Sequence, residues 1–414
     1  MSYLVASVAG VAFFVMSIGL LGVWPGRVLE RQMRAMAPES PLGLTASELR
    51  GRAIYGREGC AYCHTQQVRF LHADMTRFGA PTLAWETQVD YPHLWGTRRI
   101  GPDLARQASV HSEDWQFAHL YAPRAVVPPS VMPAYRALFD GSPLRPRQEA
   151  RDLVAYLETL GRARELAGPE GEARARERCN CPDDEMARMA FESAGLNTHP
   201  GRPRSRANGP VLPPATDEAR GRQLYVERCS GCHGATGGGD GPAAAWLRPR
   251  PTNFVEHQYT SMRLSDALWH GVAGTAMQAW RDHRVDDLSA IAQVVRSFGT
   301  ASLAAARDAA PAPDLLSSGA KVYSANCEQC HGANGDGRGS AAGELRVAPT
   351  DFRQQQVSIA HSLLALREGV EGTSMAVWSG RLNEDDMLAV SHYVRGFFVP
   401  EPPGRAGRAA GAAP

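Results

Sequence analysis

Three pentapeptides of the form Cys-x-x-Cys-His occur in this chain of 414 residues. Two thiols at this spacing can each form a thioether with one vinyl group of a porphyrin, and the next residue is then held beneath the iron as its axial imidazole. Chance predicts on the order of 0.005 such matches at this composition. The motifs therefore predict three covalently attached haem c groups, held by Cys60, Cys63 and His64, by Cys229, Cys232 and His233, and by Cys327, Cys330 and His331.

The motifs use six of the eight cysteines and leave Cys179 and Cys181 in a Cys-Asn-Cys-Pro run. A lone motif of this kind could be a redox-active dithiol or half of a zinc site. None of the three has a second Cys-x-x-Cys pair beside it, so haem attachment is favoured. Cys179 and Cys181 could form a disulfide, stay free or cap their segment, and a ring closed across one residue is strained.

Each haem iron needs a sixth ligand if it is to carry electrons without binding gases. Met277 and Met375 each stand 44 residues after their histidine, in Gly-Thr-small-Met segments, and this shared offset argues against simple core packing. A thioether is a soft, neutral ligand that favours ferrous iron. For the first motif we expect Met132, in a proline-rich run 68 residues after the histidine, in competition with Met75, His72, His93, His111 and His119.

A haem histidine usually donates its other ring nitrogen to a carbonyl group, which fixes the orientation of the ring. The candidate acceptors are the carbonyls of Pro102, Pro251 and Pro349, which lie 30, 26 and 26 residues before the three methionines. Arg98 and Arg99, beside the first of these prolines, could pair with haem propionates. A solvated surface position is an equally good interpretation for both arginines.

The second and third motifs lie in an internal repeat of 98 residues, which indicates tandem duplication of one domain. The same offset, without a gap, separates Cys229 from Cys327, Phe254 from Phe352, Met277 from Met375 and Trp280 from Trp378. The first motif follows the same plan with different spacing. Most of its additional length lies between the histidine and the Gly-Pro-Asp-Leu run at 101–104.

Helical patterns stand before and after each motif. A Gly-x-x-x-Tyr pattern precedes each one, at Gly51, Gly221 and Gly319, and apolar-periodic helices follow at 153–160, 288–298 and 387–397. Thr45 and Glu48 form a capping-box signature at the start of the first helix. The glycine would let the first helix of each domain cross the last one closely. This is the helix pair of a small cytochrome c domain.

Residues 4–24 carry no charged side chain, and this length matches the roughly 20 residues needed to cross a membrane. We expect an uncleaved single-pass anchor; a cleaved signal peptide is the alternative, disfavoured because the segment lacks a basic start and is too long. Arginines follow the span, and because positive charge favours the cytoplasmic side, they alone would place the haem domains in the cytoplasm. Haem attachment takes place outside the bacterial cytoplasmic membrane, so we place the haem domains in the periplasm.

The predicted fold is mainly α, with one N-terminal transmembrane helix followed by three cytochrome c-type haem domains. The net charge of +1 is uninformative about partners. We expect no nucleic-acid partner. We expect an anchor at 1–25, a mono-haem domain at 44–161, a linker at 162–216, a haem domain at 217–300, a linker at 301–313, a third haem domain at 314–400 and a disordered tail at 401–414.

The first domain has distinctive runs at 51–69, 77–79, 91–92, 94–106, 115, 119–120, 123–124, 126–128 and 132–135. With these runs, about residues 1–160 resemble the mono-haem subunit II of cbb3-type cytochrome c oxidases. Residues 217–400 are similar to the two tandem domains of the di-haem subunit III, although many di-haem cytochromes share this pattern. The chain departs from the family in joining both halves, and no second apolar span precedes the di-haem half.

The resemblance implies an electron carrier within an oxidase complex. Such subunits pass electrons from a soluble cytochrome c or a quinol-oxidising complex to a haem-copper catalytic subunit in the membrane, which reduces oxygen. This chain has no copper-binding histidine cluster in a membrane span. The alternatives are a tri-haem electron-transfer subunit of a periplasmic dehydrogenase and a haem enzyme with an open iron, which the three methionine candidates disfavour.

Overall fold

The computed structural model describes residues 2–36, 43–164, 166, 212, 217–305 and 311–400, except 70, 72–73, 75–77, 79–80, 91–92, 109, 281–282 and 399. Cys179, Cys181, nearly all of the predicted linker at 162–216 and the predicted tail at 401–414 lie outside these residues. Within the described part of the chain the fold is mainly α-helical, which confirms the predicted class.

The N-terminal segment is helical throughout its described length. Helix α1 (Ser2–Ser17), a π-helical stretch (Ile18–Val23) and helix α2 (Trp24–Met36) follow one another without a break. The part from Tyr3 to Val28 is long and apolar enough to cross a membrane, and its most apolar window is not buried within the protein. Its position agrees with the predicted anchor, although a cleaved leader would pass the same test of length and composition.

The remaining elements are mostly short helices. In chain order they are α3 (Ala46–Arg57), α4 (Glu113–Tyr121), α5 (Pro123–Val126), α6 (Gln148–Leu157), α7 (Glu218–Arg228), α8 (Ser230–His233), β1 (His257–Tyr259), α9 (Ser261–His270), α10 (Val285–Ala305), α11 (Pro313–Asn326), α12 (Glu328–His331), β2 (Gln355–Val357), α13 (Ile359–Glu368) and α14 (Glu384–Arg395). Helix α10 runs into the segment predicted as a linker at 301–313. The reason is local, because 301–305 is alanine-rich and alanine favours helix.

The chain divides into two compact units. The first comprises Met1–Ser109 and Arg151–Pro203, and the second comprises Val110–Ala150 and Arg204–Pro414. The predicted mono-haem domain at 44–161 is therefore shared between them: its motif lies in the first unit, and helices α4 and α5 lie in the second. Sequence reasoning did not anticipate this division.

The predicted close helix crossing is confirmed at all three motifs. A Cβ atom at Gly51 of α3 would lie 1.8 Å from the Asp152 carbonyl oxygen of α6. The corresponding distances are 2.6 Å from Gly221 to the Ala290 carbonyl and 2.2 Å from Gly319 to the Ala389 carbonyl, so α7 crosses α10 and α11 crosses α14 in the same way. No side chain larger than hydrogen fits at these positions without displacing backbone.

Aromatic rings pack beside each crossing. The tyrosine four residues after each glycine is almost completely buried. It meets an aromatic ring of the last helix or its end, with centroid distances of 5.2 Å for Tyr55 and Tyr156, 5.1 Å for Tyr225 and Phe298, and 5.3 Å for Tyr323 and Phe397. The capping box at the start of α3 is also confirmed, since the Thr45 and Glu48 side chains each accept the other's backbone N–H.

The two repeated domains are joined by a two-stranded antiparallel sheet. Strand β1 pairs with β2 so that Gln258 stands opposite Gln356, and these residues are equivalent in the 98-residue repeat. The flanking backbone bonds, Thr260 N–H to Gln354 and Ser358 N–H to Glu256, are also equivalent to each other. The contact between the second and third domains therefore has approximate two-fold symmetry about the Gln258–Gln356 pair.

Replacement of Gly51 by alanine tests the crossing. We expect Gly51→Ala to lower the free energy of unfolding by about 1–3 kcal/mol, because the added methyl group forces α3 away from α6. The measurement is thermal and denaturant unfolding of the full chain followed by circular dichroism. Gly56→Ala in the same helix is the matched control, since its Cβ would meet only Leu94 at 3.5 Å. Equal effects of the two substitutions would contradict the packing argument.

Candidate haem-attachment sites

Each Cys-x-x-Cys-His motif forms a single helical turn directly after the first helix of its domain. The backbone N–H of the histidine donates to the carbonyl of the first cysteine in all three, at 3.0 Å for His64 and 2.9 Å for both His233 and His331. Residues four apart in a helix lie on one face. The turn therefore presents the first thiol and the imidazole on the same side of the backbone.

The second ring nitrogen of each histidine is bound by a backbone carbonyl. Nδ1 of His64 lies 2.8 Å from the carbonyl oxygen of Pro102, the predicted partner. In the repeated domains the acceptor is one residue later than predicted. Nδ1 of His233 lies 3.1 Å from the Thr252 carbonyl, and Nδ1 of His331 lies 3.2 Å from the Thr350 carbonyl.

The carbonyls of the predicted acceptors Pro251 and Pro349 point instead towards the glycine-rich loops that follow the second and third motifs, at 234–241 and 332–339. A Cβ atom at Gly239 or Gly337 would lie 2.6 Å from the carbonyl oxygen of Pro251 or Pro349, respectively. Because successive carbonyls of extended backbone point to opposite sides, the next carbonyl is the one that reaches the imidazole. The sequence located the correct segment but not the side to which each carbonyl points.

Burial keeps the three imidazoles neutral. It lowers the pKa of His233 to about 4 and also lowers the pKa of His64 and of His331, against the opposing effect of the carbonyl hydrogen bonds. A carbonyl only accepts, so Nδ1 must carry the proton and donate it. The lone pair of Nε2 is then free, and this is the form in which an imidazole binds a metal.

The side chains that support the rings differ between the domains. The Phe254 ring stacks on His233 at a centroid distance of 4.3 Å, and Phe352 stacks on His331 at 4.8 Å. In the first domain the backbone of Gly101 takes this place, since a Cβ there would lie 2.2 Å from Cε1 of His64. We had not assigned these roles from the sequence, although the repeat aligns the two phenylalanines.

Two hydrogen bonds recur in the three candidate methionine loops. The Met277 N–H donates to the Thr275 hydroxyl at 3.1 Å, and the Met375 N–H donates to the Thr373 hydroxyl at 3.1 Å. In the first domain the Met132 N–H donates to the Ser130 hydroxyl at 3.2 Å. In each loop the serine or threonine N–H in turn donates to the carbonyl of a valine three residues earlier, at Val127, Val272 and Val370.

The loops also end in the same way. The aromatic residue three positions after each methionine donates its N–H to a leucine carbonyl of the preceding helix: Tyr135 to Leu120, Trp280 to Leu268 and Trp378 to Leu366. The equivalence of Met132 with the other two methionines therefore rests on local geometry as well as on sequence. Met132 lies in the second unit and His64 in the first, so iron ligation by this pair stays a prediction.

The rival ligands for the first haem occupy other environments. His93 is exposed in a turn, whereas His111 and His119 stack on opposite sides of the Trp115 indole at 3.5 and 4.6 Å. His72 and Met75 lie outside the described residues.

The two predicted propionate partners differ sharply in environment. Arg98 is exposed, so its proposed role stays a prediction. The Arg99 guanidinium is instead bound to protein groups, with ion pairs of 2.9 Å to both Asp74 and Asp103. The structure therefore places this guanidinium against carboxylates of the protein rather than leaving it free for a propionate.

The second motif packs against helices α4 and α5 of the first haem domain. An apolar cluster joins Ala118 and Val126 to Ala243 and Leu247, and Cys232 packs at its edge. We call this contact the α4–α5 seam.

Polar contacts reinforce the α4–α5 seam. The Arg248 backbone N–H donates to the Asp114 carboxylate at 2.5 Å. A Cβ atom at Gly231 would lie 2.2 Å from the Val126 carbonyl oxygen, so only glycine fits at this motif position. The other two motifs carry larger residues there, Tyr62 and Gln329.

The described residues fit a haem group. They supply paired thiols, a neutral imidazole with a free Nε2 and a loop methionine in each repeated domain. The buried indole N–H of Trp280 has no partner among the described protein groups and could donate to a propionate. Within the same residues, no cluster of three or more His, Cys, Asp and Glu side chains could hold a metal ion.

This repeated arrangement is that of a multi-domain c-type cytochrome. Residues 3–147 match the family described as cytochrome c oxidase, mono-heme subunit/FixO. Residues 216–293 match cytochrome c oxidase, cbb3-type, subunit III, and residues 316–397 match cytochrome c. The chain is thus similar, in two separate segments, to the mono-haem subunit family and to the subunit III family of the cbb3-type oxidases, in agreement with the resemblance seen in the sequence.

Curated relatives show the same similarity. The chain is 29% identical over 193 residues to the Cbb3-type cytochrome c oxidase subunit CcoP of Azospirillum brasilense, covering 42% of this chain and 60% of that protein. It is 25% identical over 185 residues to the Cbb3-type cytochrome c oxidase subunit FixP of Azorhizobium caulinodans, covering 42% and 58%. The matches therefore span about 60% of the length of these relatives.

Exchange of one motif residue tests the α4–α5 seam. We expect Gly231→Gln to lower the free energy of unfolding of the full chain by about 1–3 kcal/mol, because the side chain must displace the Val126 backbone. Haem attachment at Cys229 and Cys232 should persist, since the third motif carries glutamine at the same position. Gln329→Gly in that motif is the reciprocal control. Unchanged stability in Gly231→Gln would contradict the seam.

Proposed function

We propose that this chain is a membrane-anchored tri-haem c-type cytochrome. It would transfer electrons from a periplasmic donor to the haem-copper catalytic subunit of a cbb3-type cytochrome c oxidase. The observation that carries the proposal is the recurrence, in all three domains, of a neutral histidine oriented by a carbonyl and of a loop in which the methionine N–H donates to a serine or threonine hydroxyl. The family matches supply the oxidase context.

Covalently attached haem c would supply one-electron redox chemistry at each motif. The chain's own residues fix the ligands. The carbonyls of Pro102, Thr252 and Thr350 hold the tautomer and the plane of each imidazole, and the Ser130, Thr275 and Thr373 hydroxyls shape the methionine loops. A rigid ligand set needs little rearrangement when the iron changes oxidation state, which suits electron transfer.

We assign Met132 as the sixth ligand of the first iron. Its loop repeats both backbone bonds of the Met277 and Met375 loops, although its spacing from the motif histidine is 24 residues longer. The stacking of His111 and His119 on Trp115 gives both imidazoles a packing role instead. Three methionine-ligated sites are expected of an electron carrier rather than an enzyme with an open iron.

The contacts within the second unit support an order for the three sites. The second motif meets helices α4 and α5 through the seam, while the second and third domains meet through β1 and β2. The Arg248 side chain also forms an ion pair of 2.5 Å with Glu371 of the third domain. We therefore infer that the second domain mediates between the first and the third. Electrons would enter at the third domain and leave from the first.

The location follows from the anchor and the attachment chemistry. The apolar N-terminal helix would hold the chain in the bacterial cytoplasmic membrane with the haem domains in the periplasm. A soluble cytochrome c or a quinol-oxidising complex would act as the donor. The haem-copper subunit would be the acceptor.

Carbon monoxide binding tests the Met132 assignment. The ferrous wild-type chain should bind little carbon monoxide, because every iron has two protein ligands. Met132→Leu should open the sixth position of one haem per chain, seen as a new carbon monoxide difference spectrum. Met262→Leu, at an exposed methionine outside the loops, is the matched control. Substantial binding by the wild type that Met132→Leu does not increase would contradict the assignment.

Purification from membranes tests the oxidase role. The tagged full chain should co-purify with a haem-copper subunit, and the assembly should consume oxygen with reduced soluble cytochrome c. Replacing Cys60 and Cys63 by serine should abolish this oxygen consumption, because the exit site for electrons is lost. The same pair of substitutions at Cys327 and Cys330 should slow entry of electrons instead. Recovery of a dehydrogenase without a haem-copper subunit would favour the alternative role.

A further inference from the structure

A strap of backbone runs alongside the first haem motif in the first compact unit. The Gly101 N–H donates to the Cys63 carbonyl at 3.0 Å, and the Leu104 N–H donates to the Thr65 carbonyl at 2.8 Å. Between these two attachments the Pro102 carbonyl accepts from Nδ1 of His64, and Gly101 lies directly against the imidazole. We call residues 101–104 the strap. A small shift of the strap would therefore rotate or displace the imidazole.

Arg99 binds the strap through Asp103, the one charged residue of the strap. Its Nε and Nη2 atoms lie 3.1 and 2.9 Å from Oδ2 of Asp103, whose other oxygen accepts the Ala105 N–H at 2.8 Å. The Asp103 side chain is only 2% exposed. A buried carboxylate needs such partners, because an unpaired charge in the interior is costly.

The remaining atoms of the guanidinium contact residues outside the strap. Nη2 also donates to the Gln67 carbonyl at 3.0 Å, Nη1 lies 2.9 Å from Asp74, and Cζ lies 4.6 Å from the centre of the Phe78 ring. The Arg99 side chain is 15% exposed. Its planar fork thus ties the strap to the segment after the motif, and four of its five N–H groups have partners.

We propose that Arg99 is a positioning residue for the first haem: through Asp103 it fixes the strap whose Pro102 carbonyl orients His64. The inference rests on the proposed function, in which His64 ligates the first iron. It assigns Arg99 a role different from the propionate contact predicted from the sequence. We call the contact between Arg99 and Asp103 the clamp. The adjacent Arg98 is exposed and takes no part in it.

A second consequence concerns charge. Asp103 directly follows Pro102, whose carbonyl binds His64, so its carboxylate lies close to the imidazole. Arg99 balances this negative charge. Without the guanidinium, the uncompensated carboxylate would stabilise ferric iron and lower the reduction potential of the first haem.

A double-mutant cycle on the reduction potentials tests the clamp. The full-length, haem-loaded protein is compared as wild type, Arg99→Gln, Asp103→Asn and the double variant by spectroelectrochemical titration. We expect Arg99→Gln to shift the oxidised-to-reduced ratio of one haem about tenfold towards the oxidised form, which is about 59 mV for one electron. In the Asp103→Asn background the same substitution should have less than about half this effect, because the partner is already absent.

Two single substitutions distinguish the clamp from a general effect of removing positive charge. Arg151→Gln, at an exposed arginine of α6 in the same unit, is the control and should leave all three potentials unchanged. Arg99→Lys keeps the positive charge but loses the fork, so it should still change the electron paramagnetic resonance g-values of one ferric haem, which report ligand orientation. Arg99→Lys also remains informative if Arg99→Gln fails to fold.

The outcomes separate this inference from the proposed function. If Arg99→Gln shifted the reduction potential equally in both backgrounds and Arg99→Lys left the g-values unchanged, the clamp would be overturned. That result would support a direct contact between Arg99 and a propionate. Equal effects of Arg151→Gln and Arg99→Gln would overturn it as well. If mass spectrometry found no haem on the wild-type peptide containing Cys60 and Cys63, the proposed function of that domain would fail instead.

Discussion

The close crossing of the first and last helices is the constraint on which each haem domain depends. Gly51, Gly221 and Gly319 place backbone against backbone, and the buried tyrosine one turn later fills the space beside the crossing. The motif follows directly from the end of the first helix, so the crossing also fixes where its two thiols and imidazole begin. In the first domain the strap lies against this motif, and in the repeated domains the Thr252 and Thr350 carbonyls bind the corresponding imidazoles.

Much of this organisation could be predicted from the sequence. The motif spacing, the capping box at Thr45 and the helix crossing follow from local rules or from the 98-residue repeat, which compares each residue with its equivalent. The directions of individual groups could not be predicted. The carbonyls of Pro251 and Thr252 are adjacent in sequence but point to opposite sides, and only the three-dimensional path of the chain selects the one that reaches His233.

The role of charged residues was also hidden from sequence reasoning. Arg98 and Arg99 are identical neighbours, yet one is exposed and the other is enclosed by Asp74 and Asp103. Likewise, Gly231 stands at a motif position where the other two motifs carry Tyr62 and Gln329, and the Val126 carbonyl against it is what requires glycine there. Asp74 and Val126 are distant in sequence from Arg99 and Gly231, and neither periodicity nor spacing encodes such contacts.

The symmetric register of β1 and β2 has an evolutionary consequence. An isologous contact is one that two identical copies of a domain can make with each other, because every interaction occurs twice. The pairing centred on Gln258 and Gln356 meets this condition, so a homodimer of a single-haem ancestor could have used the same surface before the copies were joined. Covalent fusion then freed each half to diverge. The His361 imidazole now meets Glu256, whereas the equivalent positions hold Arg263 and Gln354.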